Sequence, residues 1–161
     1  SSMRKIPLLV SACLLGSPCR YNGRSVPFAL AEKILQTFEV IAVCPEEMGG
    51  LPTPRPPSEK VGNKVITQAG IDVTKAFEEG ARIALEKARQ KGCTTALLME
   101  RSPSCGLGMI YDGSFSSQLI PGNGVLAQLL LDEGFTIFTP STLEGYLHSM
   151  GDASAFDGAC R

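Results

Sequence analysis

The chain has 161 residues, 43% of them hydrophobic, which is enough to bury one sizeable core and too little to make two ordinary domains the expectation. Its formal charge of −1 offers no surplus of cations for phosphates or anionic lipid, so neither nucleic acid nor a membrane surface is an expected partner. No apolar run approaches the roughly 20 residues of a membrane span and residues 6–12 lack the pattern of a signal peptide, so a cytoplasmic protein is expected; there, six cysteines point to metal, catalysis or core filling rather than disulfides.

Ile6 to Ala12 reads as a buried parallel strand that runs into Cys13. The following stretch to Gly23, which contains Cys19, is punctuated by Gly, Pro and Asn-Gly and reads as a functional loop. Pro27 suits a first helical turn, and Phe28, Ala31, Leu35 and Phe38 recur at helical spacing over 27–37. Val40 to Val43 is a second strand, ending at Cys44-Pro45. Residues 45–73 carry Gly49-Gly50 and a proline-rich run, a stiff segment suited to a wall or lid over a site, with Val65-Ile66-Thr67 as a short edge strand. Asp72 or Thr74 can cap a helix whose stripe includes Phe77, Ala81, Ala84, Leu85 and Ala88, ending near Gly92. Thr95 to Met99 is the third strand, and it leads into Ser102-Pro103-Ser104-Cys105-Gly106. Asn123 is the expected cap of a helix closed by Gly134, Phe135 to Thr139 is a fourth strand, and Ser141 with Glu144 forms a capping box for a last helix to about residue 149. Strand and helix alternate throughout, the pattern of an α/β doubly wound sheet. The expected fold is four parallel strands in the order 2-1-3-4 with helices on both faces and an irregular Pro/Gly-rich cap, in one domain over residues 4–149 with a loose tail over 150–161.

Three strands thus each deliver one cysteine at a carboxyl end, where open α/β sheets keep their chemistry. If the strands are neighbours, Cys13, Cys44 and Cys105 converge, and three converging thiolates make a soft-metal site with one ligand missing. Structural zinc is usually closed by four ligands, whereas a cubane iron–sulfur cluster with one open iron could bind a substrate. Glu46, two residues past Cys44, is placed for acid–base work, and Ser102 and Ser104 can orient a substrate or water. Cys93, at a helix-to-strand turn, reads as core; Cys160 lies in the tail; Cys19 is a possible fourth ligand at a spacing foreign to zinc fingers. His148, the one histidine, is remote from every cysteine strand, which leaves a cysteine-nucleophile hydrolase without a base. A sulfur or metal carrier, or a structural zinc protein, using the same three cysteines is the alternative.

Ser11-Ala12-Cys13-Leu14-Leu15-Gly16, then Cys44-Pro45-Glu46 leading through Gly49-Gly50-Leu51-Pro52-Thr53-Pro54-Arg55, then Ser102-Pro103-Ser104-Cys105-Gly106 with Tyr111-Asp112-Gly113, resembles the bacterial thiouracil desulfidase family over residues 5–139. The resemblance implies a Rossmann-like domain that holds a 4Fe-4S cluster through Cys13, Cys44 and Cys105. It also implies replacement of the exocyclic sulfur of a thiolated uracil by water, giving uracil and hydrosulfide without redox change. Glu46 and Ser102 fall on the family's catalytic carboxylate and serine, and Ser11, Ser104 and Arg55 are the candidate substrate contacts. The cluster, with one iron open, is expected to be lost in air. Met99 stands where many relatives carry lysine.

Overall fold

Strand β1, Ile6–Ser11, is the element against which the others are laid down. The computed structural model describes residues 5–15 and 31–143, so the expectations placed on Cys19, Glu144, His148, Cys160, the start of the first helix and the tail lie outside the described residues. After β1 a single 3-10 turn, Ala12–Leu15, carries Cys13. Helix α1, Ala31–Thr37, passes directly into β2, Phe38–Val43, which pairs parallel with β1 in register from Ile6↔Phe38 to Ser11↔Val43. A one-turn helix α2, Pro45–Met48, precedes the hairpin of β3, Ser58–Val61, and β4, Lys64–Thr67. Helix α3, Thr74–Gln90, then leads to β5, Thr95–Leu97. A second hairpin joins β6, Met109–Tyr111, to β7, Leu119–Pro121; α4, Val125–Asp132, and β8, Thr136–Phe138, follow, and a further helix opens at Pro140.

The main sheet has the order β2-β1-β5-β8, all parallel, as the alternation of elements demands. Two cores follow from the pleat of β1, because successive side chains leave opposite faces. Leu9 points to the face that α3 and α4 cover with Ala84, Ala88, Leu126 and Leu130. Leu8 and Val10 point to the other face and meet Ile34, Phe38 and Leu143.

Several local expectations are corrected. Helix α1 ends at Thr37 as expected, but β2 starts at Phe38 and not at Val40, and the Phe38 ring counted in the helical stripe belongs to the core with Leu8 and Val10. Val65 to Thr67 is not an edge of the main sheet but pairs antiparallel with β3. The wall segment is therefore a short helix, a proline-rich crossing and a hairpin. Asn123 does not cap α4: Gly124 occupies that position, and Asn123 Oδ1 accepts a bond from Gly108 N at 2.8 Å. Val73 is the cap residue of α3, while Asp72 Oδ1 accepts from Thr74 N at 2.9 Å and Thr74 Oγ1 accepts from Val65 N at 2.9 Å. Ser141 donates its hydroxyl to Glu100 at 2.7 Å, and the Thr142 hydroxyl accepts from Thr139 N at 2.8 Å to open the last helix. β5 is two residues shorter than expected because the Met99 amide bonds the Ser11 hydroxyl at 3.0 Å.

Helix α2 touches α3 backbone to backbone. A Cβ placed on Gly80 would overlap Pro45 O and lie 2.7 Å from the Pro45 carbonyl carbon, and one on Gly49 would overlap Ala76 O. Gly80 is a helix-interior glycine, where alanine would ordinarily add up to about 1 kcal/mol of stability. Here the sign reverses: Gly80→Ala is expected to cost about 1–3 kcal/mol by overpacking, seen as a lower urea midpoint, because the opposing atoms are backbone and cannot rotate away.

Candidate active site

Each cysteine-bearing segment leaves the sheet at its carboxyl edge: Cys13 in the turn after β1, Cys44 between β2 and α2, Cys105 in the loop after β5. Because β2, β1 and β5 are consecutive in the sheet, the three thiols line one cavity of about 620 Å³, together with Glu46, Ser102 and Ser104. None of the three is in a disulfide. Among the described residues no three His, Cys, Asp or Glu side chains are arranged around a single ion.

The Cys105 loop is built almost wholly from its own hydrogen bonds and those of α4. Ser102 Oγ accepts from Ser104 N at 3.0 Å and from Cys105 N at 2.9 Å, and Gly106 N donates to Ser102 O at 2.9 Å. The first amides of α4 have no helical partner, and they find the loop instead: Val125 N donates to Pro103 O at 2.8 Å, Leu126 N to Ser104 O at 2.8 Å and Gly124 N to Gly106 O at 2.7 Å. Helix and loop can approach so closely because residue 124 is glycine; a Cβ there would sit 2.5 Å from the Ser104 carbonyl.

The Cys105 thiol is buried and its pKa is pushed up to about 12, first by burial and then by the nearby Glu46 carboxylate and Cys44, against the hydroxyls of Ser11 and Ser104. Ser104 Oγ lies 3.6 Å from Cys105 Sγ. Cys93 is buried in the core beneath α3, and its pKa is raised by burial and then by Glu39.

Glu46, in the first turn of α2, is held on both oxygens. Arg55 Nε donates to Oε1 at 2.9 Å, with only 4% of the arginine and 17% of the glutamate side chain exposed, and Ser104 Oγ donates to Oε2 at 3.3 Å. Arg55 is anchored in turn, its Nη1 donating to Pro52 O at 3.1 Å and to Thr53 Oγ1 at 2.8 Å, while the Thr53 hydroxyl reaches the exposed Glu47. The proline-rich segment thereby turns a guanidinium inward and locks the carboxylate beside the thiols. Of the expected site residues, Cys13, Cys44, Cys105, Glu46, Ser102, Ser104, Ser11 and Arg55 all line this cavity. Sequence reasoning singled out Tyr111 within its Tyr111-Asp112-Gly113 motif without a role and missed Glu59 and Phe115; all three line the cavity from the two hairpins, where a glutamate in a four-residue strand and a phenylalanine in a Gly/Ser-rich stretch carry no periodic signal.

The family model described as 2-thiouracil desulfurase matches residues 8–142, which takes in all three cavity cysteines. The chain belongs to the 2-thiouracil desulfurase family. Among the relatives of this desulfurase-family chain is the Bacillus subtilis (strain 168) protein "Uncharacterized protein YbbK", 38% identical over 150 residues, 87% of this chain and 99% of that protein. A solved structure of "[4Fe-4S]-dependent thiouracil desulfidase TudS" is 41% identical, with a TM-score of 0.83 over 92% of this chain and 99% of that one.

The Arg55–Glu46 pair makes a direct prediction for this family member. Arg55→Ala leaves a largely buried carboxylate without the guanidinium at Oε1 and is expected to cost about 3 kcal/mol, the lower end for breaking a buried pair. Arg55→Lys, which keeps charge but not the fork that reaches Pro52 and Thr53, should fall between; urea unfolding of the three proteins checks the order.

Proposed function

We propose that this chain catalyses the non-redox desulfuration of a thiolated pyrimidine base such as thiouracil, giving uracil and hydrosulfide, with Cys13, Cys44 and Cys105 holding a 4Fe-4S group. The observation that carries the proposal is that three thiols from three adjacent strand ends line one cavity with a carboxylate locked by a buried arginine. The donor set fits: three thiolates leave one metal position without a protein ligand. When bound, the group supplies a Lewis acid that draws electron density from the exocyclic sulfur. The chemistry named for TudS and the family points the same way.

The remaining work falls to this chain's side chains. Thiouracil plus water gives uracil, hydrosulfide and one proton. The water oxygen ends as the carbonyl oxygen, so it must lose both protons, one to the departing sulfur and the other through a base to solvent. Glu46 is the carboxylate beside the thiols, held at Oε1 by Arg55 and turned through Oε2 towards Ser104, and it is assigned as the general base and proton carrier. Ser102 Oγ accepts two loop amides, which leaves its own proton for Ser104 Oγ at 3.0 Å or for a ligand in the cavity. With Ser102 donating to Ser104 and Ser104 to Glu46, a directed line of hydrogen bonds ends on the carboxylate and orients a base or water beside it. Ser104 is assigned the substrate contact. Ser11 and Arg55 serve the site by fixing Cys105 and Glu46.

Anaerobic reconstitution should load about four irons per chain. Cys13→Ser, Cys44→Ser and Cys105→Ser should each lower the iron content, whereas Cys19→Ser, Cys93→Ser and Cys160→Ser should not; full loading of Cys44→Ser would break the ligand assignment. Glu46→Gln should keep the iron and lose ~10² to 10⁴ in thiouracil turnover, with Ser102→Ala losing less. Single-turnover assays on proteins of matched iron content decide this, and a wild-type rate in Glu46→Gln would remove the carboxylate from the mechanism. A mere sulfur or metal carrier would show no such loss.

A further inference from the structure

Two unlike sets of residues line the cavity. The sheet edge contributes thiols, hydroxyls and a carboxylate, whereas the aromatic residues that line it, Tyr111 and Phe115, both come from the β6–β7 hairpin. Phe115 is half-buried and stands at φ 57°, a left-handed conformation that a bulky side chain rarely adopts unless its surroundings impose it. What imposes it is on the opposite hairpin. Glu59 of β3, only 9% exposed, accepts Gly113 N at 3.0 Å and Phe115 N at 3.1 Å on a single carboxylate oxygen. The loop is closed further by Asp112 N donating to Gln118 O at 3.0 Å and by Asp112 Oδ1 accepting Ser114 N at 2.8 Å. Gly113 packs against β3, where a Cβ would meet Lys60 O at 3.0 Å.

We infer that Glu59 is a positioning residue that holds Phe115 as the face on which the substrate's pyrimidine ring is seated. The inference rests on the desulfidase reading for the identity of that ring. A planar heteroaromatic ring gains most from an offset aromatic partner, and a stacking face in the cavity that the thiols line would orient the exocyclic sulfur without touching the reacting atoms. Glu59 and Phe115 therefore govern affinity for the ring, and Glu46 with the serines governs the rate. The two N–H bonds from one hairpin to a nearly buried carboxylate on the other are charge-assisted, which is what keeps an otherwise exposed loop in a disfavoured conformation.

The test uses reconstituted enzyme and thiouracil. Phe115→Ala and Glu59→Ala should each raise KM, and the calorimetric Kd for thiouracil, about tenfold, with kcat within about threefold of wild type and iron content unchanged. Glu59→Gln, whose amide oxygen can still accept both N–H groups, should recover most of the loss. The double variant should bind no more weakly than Phe115→Ala alone, because both changes remove the same contact. Hydrogen exchange at the Gly113 and Phe115 amides should be slow in wild type and fast in Glu59→Ala, a readout independent of turnover. Wild-type affinity in Phe115→Ala, penalties that multiply in the double variant, or a fall in kcat at constant KM would each overturn the inference. If Glu59→Ala does not fold, Phe115→Ala and Glu59→Gln still decide it. Wild-type protein that binds thiouracil without converting it would refute the desulfidase reading and leave this inference to the Kd values; absence of binding would refute both.

Discussion

The first amides of α4 and the carbonyls of residues 103–106 complete one another. Helix starts leave N–H groups without partners, and an unsatisfied buried amide costs roughly 1–3 kcal/mol, so this helix is stable only with the loop seated on it. The loop in turn has no regular structure of its own, and its carbonyls are held by the helix. This exchange fixes Cys105 at the end of β5 while α4 packs its Leu126 and Leu130 into the core beneath the sheet. The position of one thiol is thereby tied to the packing of an entire face of the fold.

The same economy recurs at Glu46. Helix α2 is a single turn that buries Pro45 and rests Met48 on the core, and contact of its backbone with α3 at Gly49 and Gly80 sets how closely it sits. Arg55 then adds direction, since a guanidinium anchored by Pro52 and Thr53 can hold only one orientation of the carboxylate. Two glycines and an arginine, distant in sequence from most of the cavity, determine where the acid points. Burial pushes the Cys105 thiol up, against the hydroxyls of Ser11 and Ser104 that draw it down.

The main sheet and the cysteine edge were legible because continuous apolar strand runs, helical stripes and glycine stops are strong enough to signal. The order β2-β1-β5-β8 followed from alternation and the right-handedness of parallel crossovers. The motif residues Cys13, Cys44, Cys105, Glu46 and Ser102 were legible too, since each stands at or just past a strand end or beside such a residue. The local errors share one cause. Caps assigned to Asn123 and Ser141 failed because tertiary partners, Gly108 and Glu100, took their side chains, and a cap preference worth about 1 kcal/mol yields readily to such competition.

Sequence by itself determined that this protein is an α/β chain with three thiols at the carboxyl edge of a parallel sheet, because a buried strand followed by a Gly/Pro-rich turn has few other solutions. Only the tertiary structure decided what the two hairpins bring to the cavity. The two hairpins have strands of three or four residues, too short for alternation to register, and their mutual placement depends on Glu59 meeting the amides of Gly113 and Phe115, more than 50 residues away. Such a bond is a property of the folded surface and leaves no local trace, since the amide of any residue could have been its partner.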